Sequence, residues 1–267
     1  MIALANAFGL SGEPFAQDVP TEKLFAIPGL GAFVDRFDYA IRIGAATVIT
    51  GEVGSGKSTS LRAAASRLHP SQYVVVTLVG SSGSALDFLR SLCMELGSPE
   101  VPGSTAKLVR IIRESFATIA AKKQQPLLIV DEAHLLRLEL LSQLHALTQL
   151  PFDQKTMIPM ILSGQNILID RLLFHTSRPF ASRVIGRTLL EGLTRDQMAD
   201  YLAHHLAIVG GNADLLCDDA LTAIHQGSGG LLRRANALAR GALLAAATRK
   251  EPIVTAEHVR LAATEIL

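Results

Sequence analysis

The chain has 267 residues, 49% hydrophobic and 18% charged, enough apolar material for one large core plus a smaller one and too little charge for disorder. Lys and Arg number 25 against 24 Asp and Glu, a net charge of +1 that excludes a globally basic nucleic-acid coat, while Cys93 and Cys217, far apart and without partner spacing, exclude a disulfide framework and a cysteine zinc site. No apolar run reaches the roughly 18 residues of a membrane span, and the opening Met1 to Phe15 lacks the Lys or Arg of a secretion signal, so a cytoplasmic protein without a membrane span is expected.

Residues 1–45 read as an irregular arm, broken by Pro14, Pro20 and Pro28 and pinned to the body by Phe8, Phe15 and Phe25. Strand-type runs follow at Ala46–Thr50, Tyr73–Leu78, Leu127–Asp131, Ile158–Ser163 and Val184–Leu190. The second and third are nearly continuous in Val, Ile or Leu, as expected of parallel strands buried on both faces.

Helical patterns lie between the strands. One spans Thr59–Leu68; another is capped by Ser84, presents Leu86, Leu89, Cys93 and Leu96, and stops at Gly97. Leu108, Ile111, Ile112, Phe116 and Ile119 form a third face, and Leu136, Leu140, Leu144 and Leu147 a fourth. Alternating strand and helix predicts an α/β domain with a P-loop parallel-sheet sandwich over 46–192.

Beyond Gly192 the strand signals vanish. Thr194 and Gln197 make a capping box for a helix carrying Met198, Tyr201, Leu202, His205 and Leu206, closed by Gly210-Gly211. Asp218–Gln226, Leu231–Arg249 and Thr255–Ile266 complete a four-helix lid domain over 193–267. The paired His204-His205 shows no ligand spacing and reads as helix packing.

Gly51-Glu52-Val53-Gly54-Ser55-Gly56-Lys57-Ser58 matches G-x-x-x-x-G-K-[ST], with an apolar strand before it and a helix opening at Thr59. Glycines let backbone N–H groups turn toward phosphate oxygens, and the helix N-terminus adds positive partial charge. Lys57 is expected on the β- and γ-phosphates and the Ser58 hydroxyl on Mg2+. No N-K-x-D string for reading guanine occurs, so ATP is the expected nucleotide.

Leu127-Leu128-Ile129-Val130-Asp131-Glu132 places two carboxylates where an apolar strand ends. Asp131 suits Mg2+, and Glu132 suits the polarising of an attacking water, which points to hydrolysis rather than phosphoryl transfer to a substrate hydroxyl. His134 reads as a polar residue at a helix start. After the fourth strand, Gln165 or Ser163 can sense the γ-phosphate.

Between Arg171 and Arg187 the chain carries Arg178 and Arg183 without an acidic residue; Arg183 first, and Arg178 second, are candidates for an arginine lent to the neighbouring subunit's nucleotide. Ala220 to Lys250 is also free of Asp and Glu but holds Arg233, Arg234, Arg240 and Arg249, with Arg233 placed to reach back to the nucleotide. Both stretches suit backbone-dominated contact with DNA phosphates. With 5% aromatics and no Trp, a base-stacking platform is not expected.

Taken together these motifs resemble an AAA+ ATPase, and more closely the ExeA-like and TniB/MuB-like ATPases. The resemblance covers essentially the whole chain. It rests on Phe8-Gly9-Leu10 with Pro14-Phe15, the phosphate loop, Val130-Asp131-Glu132-Ala133, Leu162-Ser163-Gly164-Gln165, and Ser228-Gly229-Gly230-Leu231-Leu232-Arg233-Arg234-Ala235-Asn236. It implies that Lys57 and Ser58 bind Mg·ATP, Asp131 helps hold the metal, Glu132 activates water, Arg183 matches the trans-acting finger and Arg233 the lid's sensor arginine. Leu232 departs from the Pro common in the family, and His134 from the usual Gln.

ExeA-type chains continue through a membrane span into a cell-wall-binding region, and this sequence stops at Leu267 with neither. The resemblance therefore implies a transposition helper, assembling as a ring or helical filament on duplex DNA and recruiting a transposase, with a target-selection protein as a further partner. An ATPase energising or scaffolding a secretion or membrane assembly is the alternative.

Overall fold

The structure is a computed structural model describing residues 4–99, 101–148 and 158–266. They divide into two units. One comprises Gly29–Gly51 and Lys57–Leu189; the other comprises the opening segment to Pro28, Glu52–Gly56 and Leu190–Leu267.

In chain order the first helix, α1 (Leu4–Phe8), belongs to the second unit. The α/β unit then runs α2 (Leu30–Ile43), β1 (Ala46–Gly51), α3 (Lys57–Ala65), β2 (Tyr73–Val79), α4 (Ala85–Glu95), α5 (Thr105–Ala121) and β3 (Gln125–Asp131). It continues with α6 (Leu138–Thr148), β4 (Met160–Gly164), α7 (Ile167–Leu173), α8 (Arg178–Ala181) and β5 (Val184–Leu190).

The sheet has five strands in the order β2-β3-β4-β1-β5. The β1–β4, β3–β4 and β2–β3 pairs are parallel, with Thr50 opposite Gly164, Val130 opposite Leu162 and Val79 opposite Asp131. This register brings the C-terminal ends of β1, β3 and β4 to one edge, where ligands bind in open parallel sheets. Val48, Leu128, Val130 and Leu162 share a core with Leu89, Leu92, Leu108, Ile112 and Phe116 of α4 and α5. The alternate residues Ile49, Ile129 and Ile161, on the other face, are equally buried.

Two expectations need correction. Residues 30–43 are not an irregular arm: α2 buries Phe33, Phe37, Ala40 and Ile41, positions spaced as one face of a helix, between Gly29 and Gly44. The second strand is not buried on both faces: β2 is an edge strand whose Val75 and Val79 are 36% and 68% exposed while Val76 and Leu78 are buried. A valine run has the same composition in either position.

Smaller shifts concern helix ends. The helix after the phosphate loop starts at Lys57 rather than Thr59 and ends at Ala65. The run of leucines is not one helix: Ala133–Leu135 is a 3-10 turn, Leu136 is extended and buried, and α6 begins at Leu138. The Leu147 side chain lies outside the described residues. At Ser84 the expected cap is a full capping box with Asp87.

The other unit packs α9 (Arg195–Ile208), α10 (Asp218–Ser228), α11 (Leu232–Arg249) and α12 (Ala256–Glu265) around Leu202, Ile224, Leu238, Ala242 and Val259. Thr194 and Gln197 form the expected capping box, the Thr194 N–H donating to Gln197 Oε1 at 3.0 Å. The opening segment is pinned here by its aromatics. Phe15 is buried and stacks on His205 at 5.9 Å, and Phe25 meets the Tyr201 ring edge-on at 5.6 Å. Burial pushes the His205 pKa down to about 4, helped by the neighbouring His204, and pushes Tyr201 up to about 12. No described helix is long and apolar enough to cross a membrane.

Candidate active site

The α/β unit gathers its polar groups on the C-terminal edge of the sheet. Lys57, the first residue of α3, is almost fully buried, and its Nζ donates to the Gly51 carbonyl at 3.0 Å. A buried ammonium held against a backbone carbonyl is suited to exchange that partner for an anion at a helix N-terminus. The Ser58 Oγ donates to Asp131 Oδ2 at 2.7 Å, and Asp131 Oδ1 accepts from the Glu132 N–H at 2.9 Å.

A hydroxyl and a carboxylate oxygen this close form an all-oxygen donor pair, the type a hard cation such as Mg2+ selects. Among the described residues no group of three His, Cys, Asp or Glu side chains could hold a metal. A cation beside Ser58 and Asp131 would take its other ligands from phosphate and water.

Glu132 occupies the left-handed backbone region, φ 51° and ψ 32°, a strained position for a residue with a Cβ. The turn is held by close packing. The Gly80 N–H donates to the Asp131 carbonyl at 2.6 Å, and a Cβ at position 80 would run into the Glu132 carbonyl. The Glu132 carboxylate is about one-third exposed, with Oε2 3.4 Å from His134 Nδ1.

At the end of β4, Ser163 is fully buried with no hydrogen-bond partner for its hydroxyl, and Gln165 is half-buried. The Gln165 N–H donates to His134 Nδ1 at 3.3 Å. His134, expected at a helix start, lies in the short 3-10 helix Ala133–Leu135 and also joins the two turns that follow β3 and β4. Its signal in the sequence was the Asp-Glu-Ala-His string itself, which gives no hint that the imidazole faces β4.

Arg183 is not gathered with these groups. Its carbonyl accepts from the Ala46 N–H at 3.2 Å, at the opposite end of β1 from Gly51. Five residues of strand at about 3.3 Å each separate them by roughly 17 Å. Arg178 opens the short α8 and is exposed.

Residues Glu52–Gly56 cluster with the helical unit. The Ser55 N–H donates to the Glu52 carbonyl at 3.1 Å, and the Ser55 hydroxyl is buried without a partner. Val53 is half exposed. The Arg233 N–H, near the start of α11, donates to the Gly54 carbonyl at 3.3 Å. Gly54 has φ 85°, and a Cβ there would stand 2.8 Å from Arg233 Cβ. A Cβ on Gly56 would meet Ile27 Cδ1 at 2.9 Å and Leu232 Cδ1 at 3.1 Å. Arg233 thus meets the loop through its backbone, with an exposed side chain.

Residues 43–172 match an AAA domain. The chain is 30% identical over 261 residues to the general secretion pathway protein A of Aeromonas hydrophila; the alignment covers 97% of this chain and 48% of that protein, so the chain spans about half its relative's length. Among solved structures it resembles Cdc6p from Pyrobaculum aerophilum, with TM-score 0.72, 18% identity, and coverage of 95% of this chain and 70% of that one. It also resembles the Aeropyrum pernix ORC1 protein in complex with DNA, with TM-score 0.65, 18% identity, and coverage of 93% and 68%. The RuvB Holliday junction branch migration motor of Thermotoga maritima matches at TM-score 0.55 and 18% identity, over 91% and 70%. At these identities the likeness is one of fold, the parallel-sheet P-loop fold of AAA+ proteins.

Proposed function

We propose that this chain, whose residues 43–172 match an AAA domain in a P-loop AAA+ fold, binds Mg·ATP and hydrolyses it. The observation that carries the reading is the Ser58–Asp131 hydrogen bond at 2.7 Å, with Glu132 the next residue and Lys57 buried beside Ser58 at the helix start. Lys57 holds the β- and γ-phosphates, and Ser58 and Asp131 hold the cation. When bound, Mg2+ offsets phosphate charge. Glu132 accepts the proton of the attacking water. Gln165, or the buried hydroxyl of Ser163, registers the terminal phosphate. Glu52, Val53, Gly54, Ser55, Gly56 and Thr59 complete the loop, and the Arg233 N–H holds the Gly54 carbonyl.

Arg183, remote from its own chain's phosphate loop, serves an adjoining copy, so turnover belongs to a self-assembly, a ring or helical filament. For the partner of that assembly, the 30% identity over 97% of the chain supports an ATPase working with a secretion apparatus. A second reading is favoured by the acid-free run Ala220–Lys250, in which Arg233, Arg234, Arg249 and Lys250 are exposed. There the assembly forms on duplex DNA and recruits a transposase and a target-selection protein.

The test is ATP turnover by the full chain and its Lys57→Ala variant, with and without Mg2+ and duplex DNA, at two salt concentrations. Mg-dependent turnover that Lys57→Ala abolishes is expected; turnover unaffected by that change sinks the ATPase reading. Salt-sensitive DNA retention that ATP strengthens selects the DNA partner, and its absence removes that reading.

A further inference from the structure

We propose that His134 is a positioning residue for hydrolysis, clamping the turn that carries Glu132 to the backbone of Gln165. The proposal rests on the ATPase reading and adds to it the route by which the end of β4 acts on the base. His134 is 7% exposed, and its Nδ1 accepts the Gln165 N–H at 3.3 Å. A neutral imidazole accepts at one nitrogen only, so the proton sits on Nε2 and the single Nδ1 lone pair is taken.

Glu132 Oε2 lies 3.4 Å from the same Nδ1. An acceptor facing an acceptor makes no hydrogen bond, so the imidazole is a wall. It occupies the Gln165 amide in the carboxylate's place, and the carboxylate, about one-third exposed, stays open to a water. The close fit is reinforced at Gly164, where a Cβ would lie 3.1 Å from His134 N, 3.2 Å from Nδ1 and 3.2 Å from Leu168 Cδ2.

One side chain therefore ties the turn after β3 to the turn after β4, and a shift at Gln165 is passed to Glu132. The strained backbone at Glu132, φ 51°, sharpens this dependence, because that conformation holds only while its surroundings enforce it. A Gln or Asn reaches the same amide with its carbonyl oxygen, whereas an apolar residue does not.

The experiment compares His134→Leu and His134→Asn with the unaltered chain, reading hydrogen exchange at the Gln165 amide, nucleotide Kd and kcat. His134→Leu is expected to expose the Gln165 amide to exchange and to lower kcat by about tenfold to a hundredfold while Kd stays within about twofold. His134→Asn is expected to restore both protection and kcat. Native protection and native kcat in His134→Leu overturn the proposal, as does equal impairment of both variants. If the unaltered chain turns over no ATP, the ATPase reading falls, and unchanged Gln165 protection in His134→Leu still overturns the clamp. Should His134→Leu not fold, nitrogen-15 spectra of histidine in the unaltered chain decide: a proton on Nδ1 of His134 overturns the proposal, and a bare, hydrogen-bonded Nδ1 upholds it.

Discussion

The Ser58 hydroxyl donates to the Asp131 carboxylate across 2.7 Å, although the two residues stand 73 positions apart in the chain. The link joins the first turn of the helix after β1 to the end of β3, and it holds two side-chain oxygens together. Asp131→Asn keeps the shape and an acceptor for Ser58 but removes the charge. The expected result is a Mg2+ requirement for turnover shifted upward by about tenfold or more with little change in melting temperature. A Mg2+ titration of ATPase rate checks it; an unmoved midpoint would take Asp131 out of the metal site.

Glu132→Gln removes the carboxylate proposed as the base and keeps the size. ATP binding is expected to persist within about twofold while kcat falls by about a hundredfold or more. Equilibrium binding of a fluorescent ATP analogue alongside steady-state turnover separates the two. A Gln variant that turns over at the native rate would return Glu132 to an ordinary strand-end role.

Gly54→Ala tests the contact between the phosphate loop and the start of α11. The new Cβ meets Arg233 Cβ at 2.8 Å and must accept φ 85°, a conformation costing an L-residue about 1–2 kcal/mol. The expected result is weaker ATP binding and a lower melting temperature, read by calorimetry. Arg233→Ala keeps the backbone N–H donor to Gly54 and is expected to leave the melting temperature nearly unchanged while altering turnover.

Arg183→Ala should lose turnover alone and regain it when mixed with Lys57→Ala, since each then supplies what the other lacks. The strand geometry is the reason: Arg183 sits beside Ala46, at the far end of β1 from the phosphate loop. Coupled ATPase assays across mixing ratios give the answer, and a mixture no more active than its parts would count against a role in trans.

His205 predicts a pH dependence of stability. Its folded pKa, pushed down to about 4 by burial and by His204, lies below the ordinary 6.5. The unfolded chain therefore takes up the proton first. The stabilisation is complete above about 6.5 and drains away as pH falls toward 4. Urea midpoints measured across that range should decline in the native chain and flatten in His205→Phe, which keeps a ring against Phe15. Parallel slopes would show that other groups govern the decline.

The placement of the site residues was largely legible because they are written in contiguous runs. The run Leu127–Val130 could only be a buried strand, so Asp131 and Glu132 had to lie at its end; the glycines of 51–56 needed a strand before them and a helix after. Position in the sheet was not legible. Tyr73–Leu78 reads as a central strand, and only pairing with β3 on one side alone shows that it is the edge. The helix Leu30–Ile43 is signalled by Phe33, Phe37, Ala40 and Ile41, but Pro14, Pro20 and Pro28 before it carry the opposite, helix-breaking signal. His134 was invisible because its partner lies 31 residues on, in a turn whose approach depends on the order of strands.

The left-handed corner at Glu132 has a consequence for how long such a molecule lasts. Glycine would sit in that corner at ease, where a residue with a Cβ gives up roughly 1 kcal/mol. If the carboxylate serves hydrolysis as proposed, durability and chemistry pull position 132 in opposite directions: the firmer protein is the mute one, and a chain optimised only to survive heating would drift toward silence there.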